Sequence, residues 1–128
     1  MVVVYHIIND GWIYPGGHAD GDDNLLRVAL KEVYEETGLK ANVLKTEPFM
    51  ISILPTKYHL KNNQFVSSHL HFDIIYLMEA DESISLKMFD DAIDGVKWIS
   101  FHDIEKEKFC YFIKPIVIKM IDKMNTQC

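Results

Sequence analysis

Residues Gly17 to Leu39 read GHADGDDNLLRVALKEVYEETGL, and this stretch decides the fold. Leu26, Ala29, Leu30 and Val33 recur at i, i+3, i+4 and i+7, the spacing of one apolar stripe on an α-helix. Asp22, Asp23 or Asn24 can cap its start. Gly38 stops it, because glycine enters the left-handed conformation that closes many helices without strain. Glu32, Glu35 and Glu36 stand at i, i+3 and i+4, so three carboxylates share a face within one turn. Like charges so spaced destabilise a bare helix by about 0.2–0.5 kcal/mol per pair. Lys31 offsets part of this as the i,i+4 partner of Glu35, and Arg27 is expected to lean toward Glu32. What remains is a dense oxygen cluster of the kind hard divalent cations bind. Taken alone, such an acid run is more often a solvated helix face.

The cluster does not stand alone. The whole stretch resembles the Nudix box, G-x5-E-x7-R-E-U-x-E-E-x-G-U with U aliphatic. Gly17, Glu32, Val33, Glu35, Glu36, Gly38 and Leu39 match, while Asp23 stands where the family has Glu and Lys31 where it has Arg. The resemblance implies the Nudix fold, an α-β-α sandwich around a mixed β-sheet. It also implies a Nudix pyrophosphohydrolase. Such an enzyme cleaves the pyrophosphate bond of a nucleoside diphosphate linked to another moiety, using Mg²⁺ or Mn²⁺ and an attacking water. Carried over by position, Glu32, Glu35 and Glu36 would ligate the metal, helped by the carbonyl of Gly16. Asp23 and Lys31 would brace the loop against the helix, less tightly than the family's pair, since an ammonium is a point charge rather than a bidentate fork. Among the catalytic carboxylates Glu35, Glu36 and Glu32, Glu35 is expected to be the base or the ligand to the water. Asp91 stands behind it, from an acidic loop (Asp90, Asp91, Asp94) ahead of Trp98. The position matching the family's late-loop glutamate is Ala92.

Upstream of the box, Val2 to Ile8 is a β-branched run ended by the turn signal Asn9-Asp10-Gly11, and Trp12 to Tyr14 continues extended to the break at Pro15-Gly16-Gly17. Downstream, Val43–Leu44 and Phe49–Leu54 read as strands and Tyr58–Gln64 as a loop. Phe65–Ala80 reads as one long strand with Leu70, Phe72, Ile74, Tyr76 and Met78 on one side and His69, His71, Asp73, Ile75 and Leu77 on the other. Val96–Ser100 is another strand, and Asp103 can cap a helical turn. Pro115 suits the first turn of a last helix with Ile116, Val117, Met120, Ile121 and Met124 as its apolar set. Strands around two principal helices predict a mixed α/β (α+β) layered domain, and with no repeat or linker residues 1–128 read as one domain. The family's usual first strand is missing ahead of Val2, which predicts a sheet open at one edge. A homodimer across that edge is one remedy.

The chain has 128 residues, 48% hydrophobic, with thirteen bases, nineteen acids and a net charge of −6. Four of those net negative charges fall between Asp20 and Glu36, so the acidity is concentrated at the box. An acidic balance argues against a nucleic-acid polymer or an anionic membrane as partner, both of which favour a basic face. It leaves a small nucleotide-type anion, provided a cation bridges the two negative charges. Two cysteines, Cys110 and Cys128, do not make a disulfide framework, and no signal segment precedes the first strand, so a cytoplasmic setting is expected.

His18 in the box loop and His69 and His71 on the strand are candidate substrate contacts, and Trp12, Tyr14 and Tyr76 candidate stacking surfaces for a base. Pro55, sixteen residues past Leu39, is similar to a proline of the family's ADP-ribose enzymes; a nucleotide sugar or a nucleoside triphosphate fits as well. The alternative function is a non-catalytic Nudix-like module that binds or senses a nucleotide.

Overall fold

The computed structural model describes every residue except Lys57, Gln127 and Cys128, and for His59 the backbone only. Strand β1 (Val2–His6) is the middle of a three-stranded antiparallel sheet. It is flanked by β2 (Gly11–Ile13), with Tyr5 opposite Trp12, and by β9 (Ile93–Trp98), with Val4 opposite Val96. A three-valine run suits this place: Val3 and Val4 point to opposite faces, and both are fully buried. The strand stops at His6 rather than at Ile8; Ile7 and Ile8 are exposed in the turn, which closes with Asp10 at a positive φ of 47°.

Gly11 lies where a second segment crosses this sheet. A Cβ there would sit 2.6 Å from the backbone nitrogen of Cys110, so only glycine lets the two backbones approach. Trp12 N–H donates to the Lys108 carbonyl and Cys110 N–H to the Trp12 carbonyl, both at 2.9 Å. This bridge is parallel, which makes the β-structure mixed.

Helix α1 (Leu25–Thr37) follows the box loop and lies against β1 and β9. Asn24 caps it, its side-chain oxygen accepting from Arg27 N–H at 3.2 Å. Gly38 ends it at φ 77°, with Lys87 packed so closely that a Cβ would meet it at 3.1 Å. Helix α2 (Ile113–Thr126) buries Ile113, Val117 and Met120 at i, i+4 and i+7. Its Val117 joins Val3, Leu54, Ile99, Ile104 and Cys110 in the core. Before α2, a 3₁₀ helix spans Phe101–Lys106; Ser100 is its N-cap, and Asp103 sits in its first turn, accepting from Ser100 Oγ at 3.1 Å.

The middle of the chain departs from the sequence reading. Strand β3 (Asn42–Val43) pairs with β8 (Met78–Glu79), and β4 (Met50–Pro55) with β7 (Leu70–Ile75). Between them, the expected loop is a hairpin of β5 (His59–Lys61) and β6 (Gln64–Val66). It turns on Asn62 and Asn63, both at positive φ (52° and 61°), the geometry of a two-residue hairpin turn. An Asn-Asn pair pays the left-handed penalty less readily than Asn-Gly, so the signal was weak. The expected strand Phe65–Ala80 is thereby divided into β6, β7 and β8. On β7 the polar side is the covered one: His71 and Asp73 are half-buried, whereas Leu70 and Phe72 are exposed.

Candidate active site

The Pro15-Gly16-Gly17 turn is shaped by the helix that follows it. Gly16 N–H donates to Glu36 Oε1 at 2.7 Å. A Cβ on Gly17 would meet the Glu32 carboxyl carbon at 2.4 Å, so the second glycine leaves room for a carboxylate. Glu32 and Glu36 therefore face the turn. Glu35 lies toward the outside of the helix, where Lys31 Nζ stands 3.7 Å from its Oε1.

The loop is tied to the helix by an ion pair other than the one expected. Arg27 Nη2 reaches Asp22 Oδ2 at 2.6 Å, and Asp22 Oδ1 accepts from Asn24 N–H at 2.9 Å. Lys31 points to Glu35, Asp23 is exposed, and among the described residues no ion pair joins those two. Arg27 thus turns to Asp22 and not toward Glu32.

Glu36 is only 3% exposed, and its carboxyl is pushed up to about 8. Burial is the main cause; the negative charges of Glu32, Asp90 and Glu35 add to it, and the Gly16 amide opposes it. Burial also raises Glu32, helped by Glu35, Asp90 and Asp20 and opposed by Lys31. Asp90 is the carboxylate that the late loop brings to the cluster. Phe89 N–H donates to the Glu35 carbonyl at 2.7 Å, which docks the loop on α1 and delivers the next residue. Asp91, the expected residue, is exposed. No spacing rule separates Asp90 from Asp91; the distinction arises from the docking bond. His6 also belongs to this neighbourhood: burial holds its imidazole below the ordinary value, with Asp90 opposing and His18 adding to the effect.

A second group of polar side chains is built around β7. Tyr14 Oη donates to Asp73 Oδ2 at 2.7 Å, and burial followed by this bond raises the phenol far above its ordinary value. His69 Nδ1 lies 2.8 Å from the Ser67 carbonyl, which can only accept, so that nitrogen carries a proton. Its Nε2, 2.7 Å from His71 Nε2, then accepts from His71 when His69 is neutral. The His18 ring meets the His71 ring edge-on, centroids 5.1 Å apart. Three imidazoles thus run from β7 to the residue beside Gly17. Trp12 is engaged elsewhere: its ring meets Tyr5 edge-on at 5.2 Å, Lys97 Nζ stands 4.4 Å from its centroid, and Gly95 packs beneath it. Both Trp12 and Tyr14 pack against the core.

The donor set fits a hard divalent cation: carboxylate oxygens at a glycine turn, one of them buried among like charges. Among the described residues, no three acidic, imidazole or thiol groups converge as they stand, so binding would need carboxylate side chains to swing together. A separate cavity of about 410 Å³ opens by Tyr34, Leu39, Lys87 and Phe89 and includes none of these carboxylates. Cys110 is a buried free thiol, pushed up to about 11 chiefly by burial. Among the described residues, no helix is long and apolar enough to cross a membrane.

Comparison with known proteins bears on this arrangement. The chain is 25% identical over 112 residues to Phosphatase NudJ of Shigella boydii serotype 4 (strain Sb227), covering 83% of this chain and 63% of that one. It is 24% identical over 110 residues to Phosphatase NudJ of Escherichia coli (strain K12), covering 81% and 62%. The chain therefore spans less than two thirds of the length of these relatives. A crystal structure of a NUDIX-family hydrolase from Clostridium perfringens matches with a TM-score of 0.70 at 15% identity, over 96% of this chain and 88% of that one. The NUDIX domain of Shewanella oneidensis NrtR, solved with ADP ribose, matches with a TM-score of 0.53 at 13% identity, over 98% and 75%. At these identities the two structures establish a shared fold. The family model described as the NUDIX domain matches residues 2–119, nearly the whole chain, and the protein belongs to the Nudix family.

Proposed function

We propose that residues 1–128 act as one unit that hydrolyses the pyrophosphate bond of a nucleoside diphosphate linked to a further group, with a divalent cation, Mg²⁺ or Mn²⁺, as cofactor. The observation that carries this reading is Glu36: a carboxylate 3% exposed, crowded by Glu32 and Asp90, and oriented by the Gly16 amide. A buried like-charge cluster is costly unless something positive joins it. Lys31, which bears on Glu32, stays exposed and pairs with Glu35.

Glu32, Glu35, Glu36 and the Gly16 carbonyl would hold the cation. When bound, it supplies Lewis acidity, activating water and neutralising charge that develops on phosphate oxygens. The protein's own part is positioning. The Gly16 amide fixes the Glu36 rotamer, and Gly17 leaves space for Glu32. Glu35, at the solvent edge, accepts the proton of the attacking water, with Asp90 in place of Asp91 as the late-loop carboxylate. His18 can offer a ring N–H to phosphate oxygens, with His71 against its ring and His69 hydrogen-bonded to His71, and Asp73 holds Tyr14. The water oxygen bonds to phosphorus as the bridging P–O bond breaks, giving two phosphate-bearing products.

Support for a nucleotide-type substrate comes from the ADP ribose bound to the NrtR NUDIX domain, a fold neighbour. The test is turnover by purified protein with Mg²⁺ or Mn²⁺ against ADP-ribose, nucleotide sugars, dinucleoside polyphosphates and nucleoside triphosphates. Cation-dependent release of two phosphate-bearing products is expected for at least one class. Nucleotide binding without turnover of any would favour a non-catalytic binding module, the reading to which the unconverged carboxylates lend weight.

A further inference from the structure

His69 and His71 stand two residues apart where β7 begins, the spacing that sends two side chains to the same side of an extended chain. Their rings converge, with the Nε2 atoms 2.7 Å apart and the ring centroids 4.6 Å apart. The first imidazole is held from behind. Its Nδ1 gives its proton to the Ser67 carbonyl at 2.8 Å, which leaves Nε2 as the nitrogen with a lone pair. Thr56 clasps the backbone of the same residue: its N–H donates to the His69 carbonyl at 2.8 Å, and its Oγ1 accepts from His69 N–H at 3.3 Å. The second imidazole has the His18 ring packed edge-on against it. Two ring nitrogens aimed at one point, one of them backed by a carbonyl, are the arrangement in which proteins hold transition metals.

We propose that His69 and His71 are a chelating pair for a borderline divalent transition-metal ion of the Zn²⁺, Ni²⁺ and Cu²⁺ class. Ligand chemistry is the first argument: neutral imidazole suits these ions, whereas the hard cation of the carboxylate cluster takes oxygen. Geometry is the second. Nitrogen–metal bonds of about 2.0–2.1 Å set two neighbouring ligands roughly 2.9 Å apart at a right angle and roughly 3.4 Å apart at the tetrahedral angle. From 2.7 Å, small rotations of the two rings reach either. The tautomer is the third. With the His69 proton committed to Ser67, the ion replaces only the proton between the two Nε2 atoms, and both lone pairs then face it. No third acidic, imidazole or thiol group converges here among the described residues, so water fills the remaining positions. The pair stands apart from the hydrolytic reading, since it needs neither a substrate nor turnover.

Calorimetric titration of the full chain, free of any histidine tag, with Ni²⁺ in excess Mg²⁺ tests it. One ion per chain is expected. His69→Gln and His71→Gln should each weaken binding by roughly tenfold or more with an unchanged circular-dichroism spectrum. Glu36→Gln, in the carboxylate cluster, and His102→Gln, in the 3₁₀ helix, should leave it unchanged. With Cu²⁺ as the probe, the electron paramagnetic resonance spectrum should show splitting by two ring nitrogens. If His71→Gln, at the half-buried position, fails to fold, the exposed His69→Gln decides alone. A wild type that binds Ni²⁺ no more tightly than the double variant overturns the proposal. So does binding that Glu36→Gln abolishes, binding that His102→Gln weakens as much as His69→Gln, or a Cu²⁺ spectrum without nitrogen splitting.

Discussion

The backbone amide of Gly16 and the side chain of Glu36, twenty residues apart, are joined by a 2.7 Å hydrogen bond that locks the glycine turn to the last turn of α1. Glu36→Gln keeps an oxygen for that amide and removes the buried charge. We expect the variant to fold, to melt higher than the wild type in chelator, and to lose roughly a hundredfold or more in activity. Melting curves and turnover assays check this; unchanged turnover would remove Glu36 from the site.

Glu36 also sets a pH dependence. Its carboxyl is raised from an ordinary 4.5 to about 8 in the fold, and Glu32 shifts the same way. A raised carboxyl contributes stability that is complete below the unfolded value and is lost as pH rises through the folded one. In chelator, the melting temperature should therefore fall between about pH 5 and pH 8 relative to Glu36→Gln. His6, held below its ordinary 6.5, gives the opposite slope in both proteins, so their difference isolates Glu36. A constant difference across that range refutes the assignment.

The two glycine contacts should fail in different ways. Gly11→Ala drives a Cβ into the Cys110 backbone, which cannot rotate away, and should cost about 1–3 kcal/mol. Gly17→Ala meets only the flexible end of Glu32 and should leave stability nearly unchanged while weakening Mn²⁺ binding and turnover. Denaturant titration with Mn²⁺ binding on both variants distinguishes them; a Gly17→Ala protein with wild-type cation affinity contradicts the cradle.

Asp90 and Asp91 offer a comparison between neighbours. Asp90→Asn removes a charge felt by both Glu32 and Glu36, and we expect at least a tenfold loss of turnover. Asp91→Asn, at an exposed position, should have little effect. Equal rates in the two variants would show that the late loop takes no part.

Local pattern was enough for the box helix, its Gly38 end, the glutamates in its last turns and the family itself; of Asp22, Asp23 and Asn24, only the structure picked Asn24 as the cap. Each depends on residues within a turn or two, where spacing alone fixes geometry. The hairpin at Asn62-Asn63 escaped because its signal is a backbone conformation that asparagine adopts only in context. The ion pair between loop and helix is Asp22–Arg27, one turn earlier on the helix than the expected Lys31, which pairs with Glu35 on its own helix.

By itself, then, the sequence determined that an acidic helix follows a glycine turn and that Glu32 and Glu36, one turn apart, share a face; that Glu35 lies toward the outside with Lys31 came from the structure. Only the tertiary structure decided that Gly16 binds Glu36, that Asp90 rather than Asp91 faces the cluster, and that His18 meets His71. It also decided that Leu70 and Phe72 of β7 look outward while His71 and Asp73 on the other side are half-buried. Strand alternation specifies two faces but not which one is covered; that depends on residues far along the chain, such as Tyr14, arriving against one of them.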